Sequence, residues 1–191
     1  TNAVTVTLTG GTTITIASGQ TTGTATVAAP TDDPYIDAGT TSRSITAITG
    51  GTTFESLVFN TAAATTTVPD TTDVTTVSLS ATPTVSEGGT ITYTATLTNT
   101  ATNAVTVTLT GGTTITIASG QTTGTATVAA PTDDPYIDAG TTSRSITAIT
   151  GGTTFESLVF NTAAATTTVP DTINVTTVSL SATPTVSEGG T

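Results

Sequence analysis

Apolar and hydroxyl-bearing side chains alternate along most of this chain. In 91–98 the apolar residues fall on every second position, and threonines fill all of the others. A period of two is the spacing of a β-strand with one face toward a core and one toward solvent, and β-branched threonine favours an extended backbone. The pattern therefore predicts strands, and it shows no helical period.

Turn signals divide this pattern into seven short strands in one copy of the sequence. Segments of 8–12 residues between turns are typical of an immunoglobulin-like sandwich. The fold class we predict is all-β, with tandem immunoglobulin-like β-sandwich domains of about 101 residues. The predicted strands are 77–81 (resuming at Val85), 90–98, 104–110, 113–118, 122–129, 143–150 and a last one beginning near 155–160.

Three local features refine this prediction. Pro83 lacks the N–H donor of a strand ladder, so the first strand is predicted to be a kinked edge strand. Gly111 and Gly112 predict a two-residue hairpin turn, because glycine tolerates positive φ. The core is poor in aromatic residues, and the large side chains expected to fill it are Tyr93, Tyr136, Phe155 and Phe160.

The chain repeats itself. Residues 1–90 and 102–191 align without a gap, and only two positions differ: Thr72 is replaced by Ile173, and Asp73 by Asn174. A repeat of this length suits one whole domain, and near-identical copies are typical of spacer arrays. We predict that 1–73 is the C-terminal part of one repeat, 74–174 a complete repeat and 175–191 the first strand of a further one, as in a segment of a longer array.

Composition excludes several classes of function. The 191 residues include 62 threonines, 13 acidic residues and only two basic ones, both arginine, and the formal charge is −11. Without histidine or cysteine there is no imidazole base, thiolate nucleophile, disulfide or zinc site of the usual kind. Two cations cannot neutralise a phosphate backbone, so no nucleic-acid partner is expected. The apolar runs are too short to predict membrane insertion.

The acidic residues are predicted to gather at one end of each sandwich. Alternate loops of an up-and-down sandwich lie at opposite ends, and five acids of the complete copy fall on loops of the same end, beside the outgoing linker. They are Glu87, Asp133, Asp134, Asp138 and Asp171, and the equivalent first junction has Asp32, Asp33, Asp37, Asp70 and Asp73. Glu156 is predicted at the other end, where it would meet the linker of the preceding domain.

Carboxylates in this number, with no nitrogen or sulfur donors, are the ligands that Ca²⁺ prefers. We therefore predict Ca²⁺ as the cofactor, held between consecutive domains by these ten acids. The alternative is that they are solvated surface acids on loops. Asn174 in place of Asp73 indicates either a weaker junction or a position that is not a ligand.

The repeat also resembles a known family. Residues 80–99 (SATPTVSEGGTITYTATLTN) and 128–140 (VAAPTDDPYIDAG), with VTLT and TITIASGQ between them, resemble the extender repeats of giant RTX-type bacterial surface adhesins. The resemblance implies export by type I secretion and display on the surface of Gram-negative cells. It further implies a stalk of immunoglobulin-like domains that Ca²⁺ stiffens at the junctions, and that projects a distal region for cell adhesion or biofilm formation.

The leading functional interpretation is therefore an extracellular structural repeat whose partners are the neighbouring repeats of its own chain, with a distal ligand that the sequence does not identify. Two alternatives stay open: a flat hydroxyl array, such as Thr106–Thr108 and Thr114–Thr116, that binds ice or glycan, and a subunit of a self-assembling surface filament. Catalysis is not expected. Asp133 and Asp134 are adjacent on one loop, which is more typical of metal binding than of an acid and base pair.

Overall fold

The computed structural model describes residues 2–191, and Thr1 lies outside the described residues. These residues form strands and no helix, in agreement with the all-β prediction. Among them, accordingly, nothing has the length and hydrophobicity of a membrane-spanning helix. The chain separates into two compact units: Thr1–Val74 with Phe155–Ser157, and Thr75–Thr154 with Leu158–Thr191.

The first unit contains five strands in two antiparallel sheets. They are β1 (Val4–Leu8), β2 (Thr13–Ile16), β3 (Gly39–Arg43), β4 (Ile45–Gly50) and β5 (Ala64–Val68). One sheet has the order β2-β1-β4, and the other pairs β3 with β5. Residues 21–34 form no strand.

The second unit is the more complete of the two. Its strands are β6 (Val74–Ala81), β7 (Thr90–Leu97), β8 (Val105–Leu109), β9 (Thr114–Ile117), β10 (Thr123–Ala129), β11 (Gly140–Arg144), β12 (Ile146–Gly151), β13 (Ser157–Phe160) and β14 (Ala165–Val169). The sheets have the orders β10-β7-β6-β13, β12-β8-β9 and β11-β14. Since only Ser145 separates β11 from β12, the last two sheets share one nearly continuous strand.

The core of the second unit comes from the alternation seen in the sequence. Along β7 the apolar residues are buried and the threonines between them are half-buried, and β8 repeats this pattern. Ile91 and Tyr93 of β7 are fully buried, as are Ile115 and Ile117 of β9. Burial of each such side chain contributes about 2 kcal/mol relative to exposure, so this core is the main source of stability.

The first strand of the second unit is kinked as predicted, but it is not an edge strand. β6 lies between β7 and β13 in its sheet. After Pro83 the chain leaves this sheet: Thr84 forms a parallel bridge with Thr168 of β14, and the Val85 N–H donates to the Thr168 carbonyl at 3.1 Å. The edge prediction was wrong because β13, the strand predicted to begin near 155–160, lies beside β6 in the sheet, while Pro83 marks the point where the chain crosses to another sheet.

Two further expectations need correction. The glycine turn after β8 has three residues, because the Leu109 N–H donates to the Thr113 carbonyl and so includes Thr110 in the turn, although both glycines have the expected positive φ. Tyr136 does not fill the core. It is 75% exposed, since the Asp134 carboxylate accepts a hydrogen bond from its N–H and holds it on the acidic loop. Phe160 is half-buried, and Phe155 is buried.

Candidate metal centre

Three carboxylates from distant parts of the sequence meet at one end of the second unit. Glu87 lies on the turn between β6 and β7, Asp138 on the loop before β11, and Asp171 follows β14. One carboxylate oxygen of each lies within 4.8 Å of the others. The alternation of loops predicted five acids at this end of the copy. Three of those five meet here.

Backbone hydrogen bonds hold the turn that carries Glu87 in place. The Gly88 N–H donates to the Pro131 carbonyl at 2.7 Å, and the Ala130 N–H donates to the Gly89 carbonyl at 2.9 Å. Gly88 has a φ of 69°, a left-handed conformation that glycine adopts at little cost. The turn is therefore fixed against the loop that leads from β10 to Asp138.

Negative charge is concentrated in this group of three carboxylates. Glu87 is only 8% exposed, and the Asp171 Oδ1 atom is buried with no hydrogen-bond partner. The pKa of Asp138 is raised to about 6 by its hydrogen bond with Glu87, then by desolvation and by the charges of Glu87, Asp134 and Asp171. A bound cation would relieve this repulsion.

The other two predicted acids of this copy have their own partners. The Thr172 hydroxyl and the Asn174 amide (3.0 Å) both donate to Asp133 Oδ1. These two hydrogen bonds, from Thr172 first, lower the pKa of Asp133. Asp134 Oδ1 accepts the Tyr136 N–H at 2.8 Å. Asp133 and Asp134 thus belong to the loop that carries Asp138, and their hydrogen bonds hold that loop.

Sequence reasoning missed Thr172. Its N–H and its hydroxyl lie 3.1 and 3.2 Å from Glu87 Oε2, so it connects the segment after β14 to the Glu87 turn. The chain has 62 threonines, and the one sequence feature that distinguishes Thr172 is its position next to Asp171. Asn174 was noticed only as a departure from Asp73. Its amide also donates to the Asp134 carbonyl at 2.9 Å, a bond that a carboxylate could not make.

The first unit has the same acids without the same grouping. Thr71 donates to Asp32, Asp33 accepts the Tyr35 N–H at 2.9 Å, and the Asp37 N–H lies 3.3 Å from Asp70 Oδ2. Burial, followed by the charge of Asp33, raises the pKa of Asp37. In the described part of the first unit, no three acids converge as Glu87, Asp138 and Asp171 do.

Asp73, the last acid predicted for the first junction, contacts Glu156. The Asp73 N–H donates to Glu156 Oε2, and both residues belong to the first unit by their contacts. This hydrogen bond lowers the pKa of Glu156, but burial and the charges of Asp70 and Asp73 outweigh it, so the net pKa is raised. In the same unit the Phe155 ring stacks on Tyr35, with centroids 5.5 Å apart.

The group Glu87, Asp138 and Asp171 is able to hold a metal ion. All its donors are carboxylate oxygens. Glu87 and Asp138 also border a cleft of about 210 Å³ that is lined by Pro131 and Thr141 as well. Hard divalent cations take oxygen ligands of this kind, with water completing the coordination.

Comparison with known proteins agrees with this picture of a structural repeat. The family model of the LapA domain matches residues 1–71 and 73–172, which is most of the chain. LapA is a large bacterial surface adhesin involved in biofilm, and its domains are structural and non-enzymatic. No curated protein matches the chain. The chain belongs to the LapA domain family and is related to surface-associated bacterial adhesins.

Proposed function

We propose that this chain is an extender segment of a secreted bacterial surface adhesin, and that Ca²⁺ stiffens it where one domain leads into the next. The observation that carries the proposal is the convergence of Glu87, Asp138 and Asp171 within 4.8 Å. Two of these acids belong to loops of the sandwich, and the third belongs to the segment that leaves it.

The chemistry favours Ca²⁺ over other cations. Ca²⁺ takes six to eight oxygen ligands in flexible geometry, whereas Mg²⁺ requires a near-ideal octahedron and gives up water reluctantly. Carboxylates from three separate segments, without a preformed octahedron, suit the first ion better. Calcium would bridge Asp171 to Glu87 and Asp138, and so would fasten the outgoing segment to the sandwich instead of leaving it free to rotate.

A stiff junction between domains would allow the chain to act as an extended spacer. A row of domains with flexible linkers is a compact coil, whereas fixed linkers turn it into an extended rod. Each further repeat then adds length to a stalk on the cell surface, which would display a distal adhesive region away from the cell. The 13 acids and two arginines keep such a stalk strongly anionic, which favours solubility and disfavours contact between stalks.

Thermal unfolding and small-angle scattering of the chain, each with Ca²⁺ and with chelator, test this proposal. Binding to the native state at a hundredfold excess over Kd stabilises it by about 2.7 kcal/mol. For a domain of this size we expect chelation to lower Tm by about 10 °C and to increase the flexibility measured by scattering. Equal Tm and equal flexibility in calcium and chelator would refute the stiffening role.

A further inference from the structure

A short parallel pairing joins the first and last strands of the second unit. After Pro83 the chain runs beside β14 in the same direction, and Thr84 forms a parallel bridge with Thr168. The Thr168 N–H donates to the Pro83 carbonyl at 2.9 Å, and the Val85 N–H donates to the Thr168 carbonyl at 3.1 Å. The ladders of β7 with β10, of β8 with β9 and of β11 with β14 are antiparallel by contrast.

Side chains extend this pairing in both directions. Thr167 is fully buried, and its hydroxyl donates to the Thr82 carbonyl at 2.7 Å. Beyond β14, the N–H and the hydroxyl of Thr172 lie 3.1 and 3.2 Å from Glu87 Oε2. The chain that follows β6 is therefore fastened to β14 and to the segment after it by hydrogen bonds along its length.

The direction of the two facing segments, 82–87 and 167–172, decides how they carry tension. We call this pair of segments the clamp. The chain reaches 82–87 from β6, and it leaves 167–172 at the far end, beyond β14. Because the paired segments run parallel, tension along the chain pulls 82–87 backward toward β6 and 167–172 forward. The two segments are thus pulled along their length in opposite directions, and the clamp is loaded in shear.

A pairing that is loaded in shear resists tension better than one that is peeled apart. In peeling, each hydrogen bond carries the load in turn, and the bonds break one after another. In shear the bonds share the load, so they must break together. Forced unfolding depends on the rate of unfolding and not on equilibrium stability, so a short pairing of this kind is able to control the response to tension.

We propose that the second unit is a load-bearing module, and that the clamp locks its first and last strands against tension along the chain. Tension that reaches Thr82 passes directly to β14 through the clamp, so it bypasses the core strands β8 and β9. This function is the mechanical strength of the domain itself, beyond the stiffness of its junctions. Its backbone hydrogen bonds need no calcium.

Single-molecule stretching of the full 191-residue chain from its two ends, at constant load and in chelator, tests the proposal. Unfolding of the second unit is recognised by the chain length that it releases, about 3.4 Å for each residue of 74–169. Thr167→Val removes the hydroxyl that donates to Thr82 and keeps the shape of the side chain. We expect this variant to unfold about fivefold faster under load, the factor for one hydrogen bond lost from the barrier.

Thr147→Val is the matched control for this variant. The Thr147 hydroxyl donates to the Thr108 carbonyl at 3.1 Å, which is the same kind of bond, but it connects β12 to β8 and lies outside the clamp. We expect this variant to unfold under end-to-end load at nearly the wild-type rate. An acceleration as large as that of Thr167→Val would show that the clamp has no special role, and it would overturn the proposal.

The direction of the load separates the clamp from a general loss of stability. The chain has no cysteine, so Thr114→Cys and Gln121→Cys provide unique attachment points, both exposed and near the two ends of β9. Load between these points bypasses the clamp, so adding Thr167→Val should leave the unfolding rate unchanged. An unaltered rate in end-to-end stretching, or equal acceleration in both directions, overturns the proposal. A Tm that is equal in calcium and chelator would remove the calcium function, whereas the stretching rates in chelator decide the clamp alone.

Discussion

Residues 2–71 and 103–172 have the same sequence, yet the two copies differ in burial and in the strands that they form. Both form the same local pairs in the same register: β1 with β2 and β8 with β9, β1 with β4 and β8 with β12, and β3 with β5 and β11 with β14. These pairings follow from the alternating pattern and the glycine turns, which the two copies share.

The copies differ in burial. Ile115 and Ile117 are fully buried, whereas Ile14 and Ile16 are only half-buried. Residues 123–129 form β10, while 22–28 form no strand. This difference follows the strand partner, because β10 pairs along its whole length with β7, whereas within residues 2–191 no strand pairs with 22–28 in this way.

The comparison separates what local sequence can do from what a distant segment adds. Alternation and turns suffice for the hairpins, but the core closes only where β6 and β7 are present. The turn between these two strands also contributes Glu87, so the strands that complete the core complete the carboxylate group as well. Fold and candidate site thus depend on the same segment.

Matched truncations of the two cores should produce the largest difference. We expect Ile115→Ala to reduce the free energy of unfolding of the second unit by about 3 kcal/mol, through lost burial and the cavity that remains. Ile14→Ala, at the identical position of the first copy, should cost less than about 1 kcal/mol because its side chain is half-exposed. Residue-resolved hydrogen exchange measures both units in one sample; equal costs would mean that β6 and β7 do not account for the difference.

Matched substitutions at the acidic turn should have the next largest effect. Glu87→Gln in saturating calcium should lower the stability of the second unit by about 2 kcal/mol, as a ligand and its binding free energy are lost. Glu188→Gln changes the same residue in the same local sequence, but Glu188 is exposed, so the second unit should keep its stability. Thermal melts of dilute protein provide the measurement, and a similar Tm for both variants would count against a site at Glu87.

Alanine at the glycine turns should give a smaller effect. Gly111 and Gly10 both have φ near 80°, so alanine costs about 1 kcal/mol at either site. A Cβ on Gly111 would also collide with Arg144 Nη1, whereas on Gly10 it would lie 3.4 Å from Arg43 Cζ. Gly111→Ala should therefore be the more costly variant in denaturant melts, and the reverse order would show that Arg144 moves aside freely.

The dependence of stability on pH should be the smallest effect, and the pKa shift of Asp138 determines its direction. The pKa of Asp138 is raised from 3.8 to about 6, so between these values the native state of the calcium-free protein holds more protons than the unfolded state. Its stability should then fall as pH rises from 4 through 6. Calcium should reverse this trend, because protons compete with it for the carboxylate. A calcium-free melt whose Tm rises over this interval would contradict the assignment.

The sequence predicted most of the fold for reasons that the structure makes clear. Strand positions follow from a period of two, which depends only on neighbouring residues. The place of β6 inside its sheet and the exposure of Tyr136 depend on distant partners, namely β13 and the acidic loop, which no local pattern reveals.

The candidate site was predicted in outline. The alternation of loops correctly brought Glu87, Asp138 and Asp171 to one end. It could not distinguish these acids from Asp133, which hydrogen-bonds to Thr172 and Asn174, because that difference depends on side-chain direction within a single loop.

Amide hydrogen exchange in the two linkers tests the central claim most directly. Residues 171–174 follow β14, and 70–73 follow β5 in the same way. In dilute protein, calcium should slow exchange at 171–174 strongly and leave 70–73 nearly unchanged, because within residues 2–191 three carboxylates converge beside the second linker and not beside the first. Equal exchange at 171–174 with and without calcium would contradict the account.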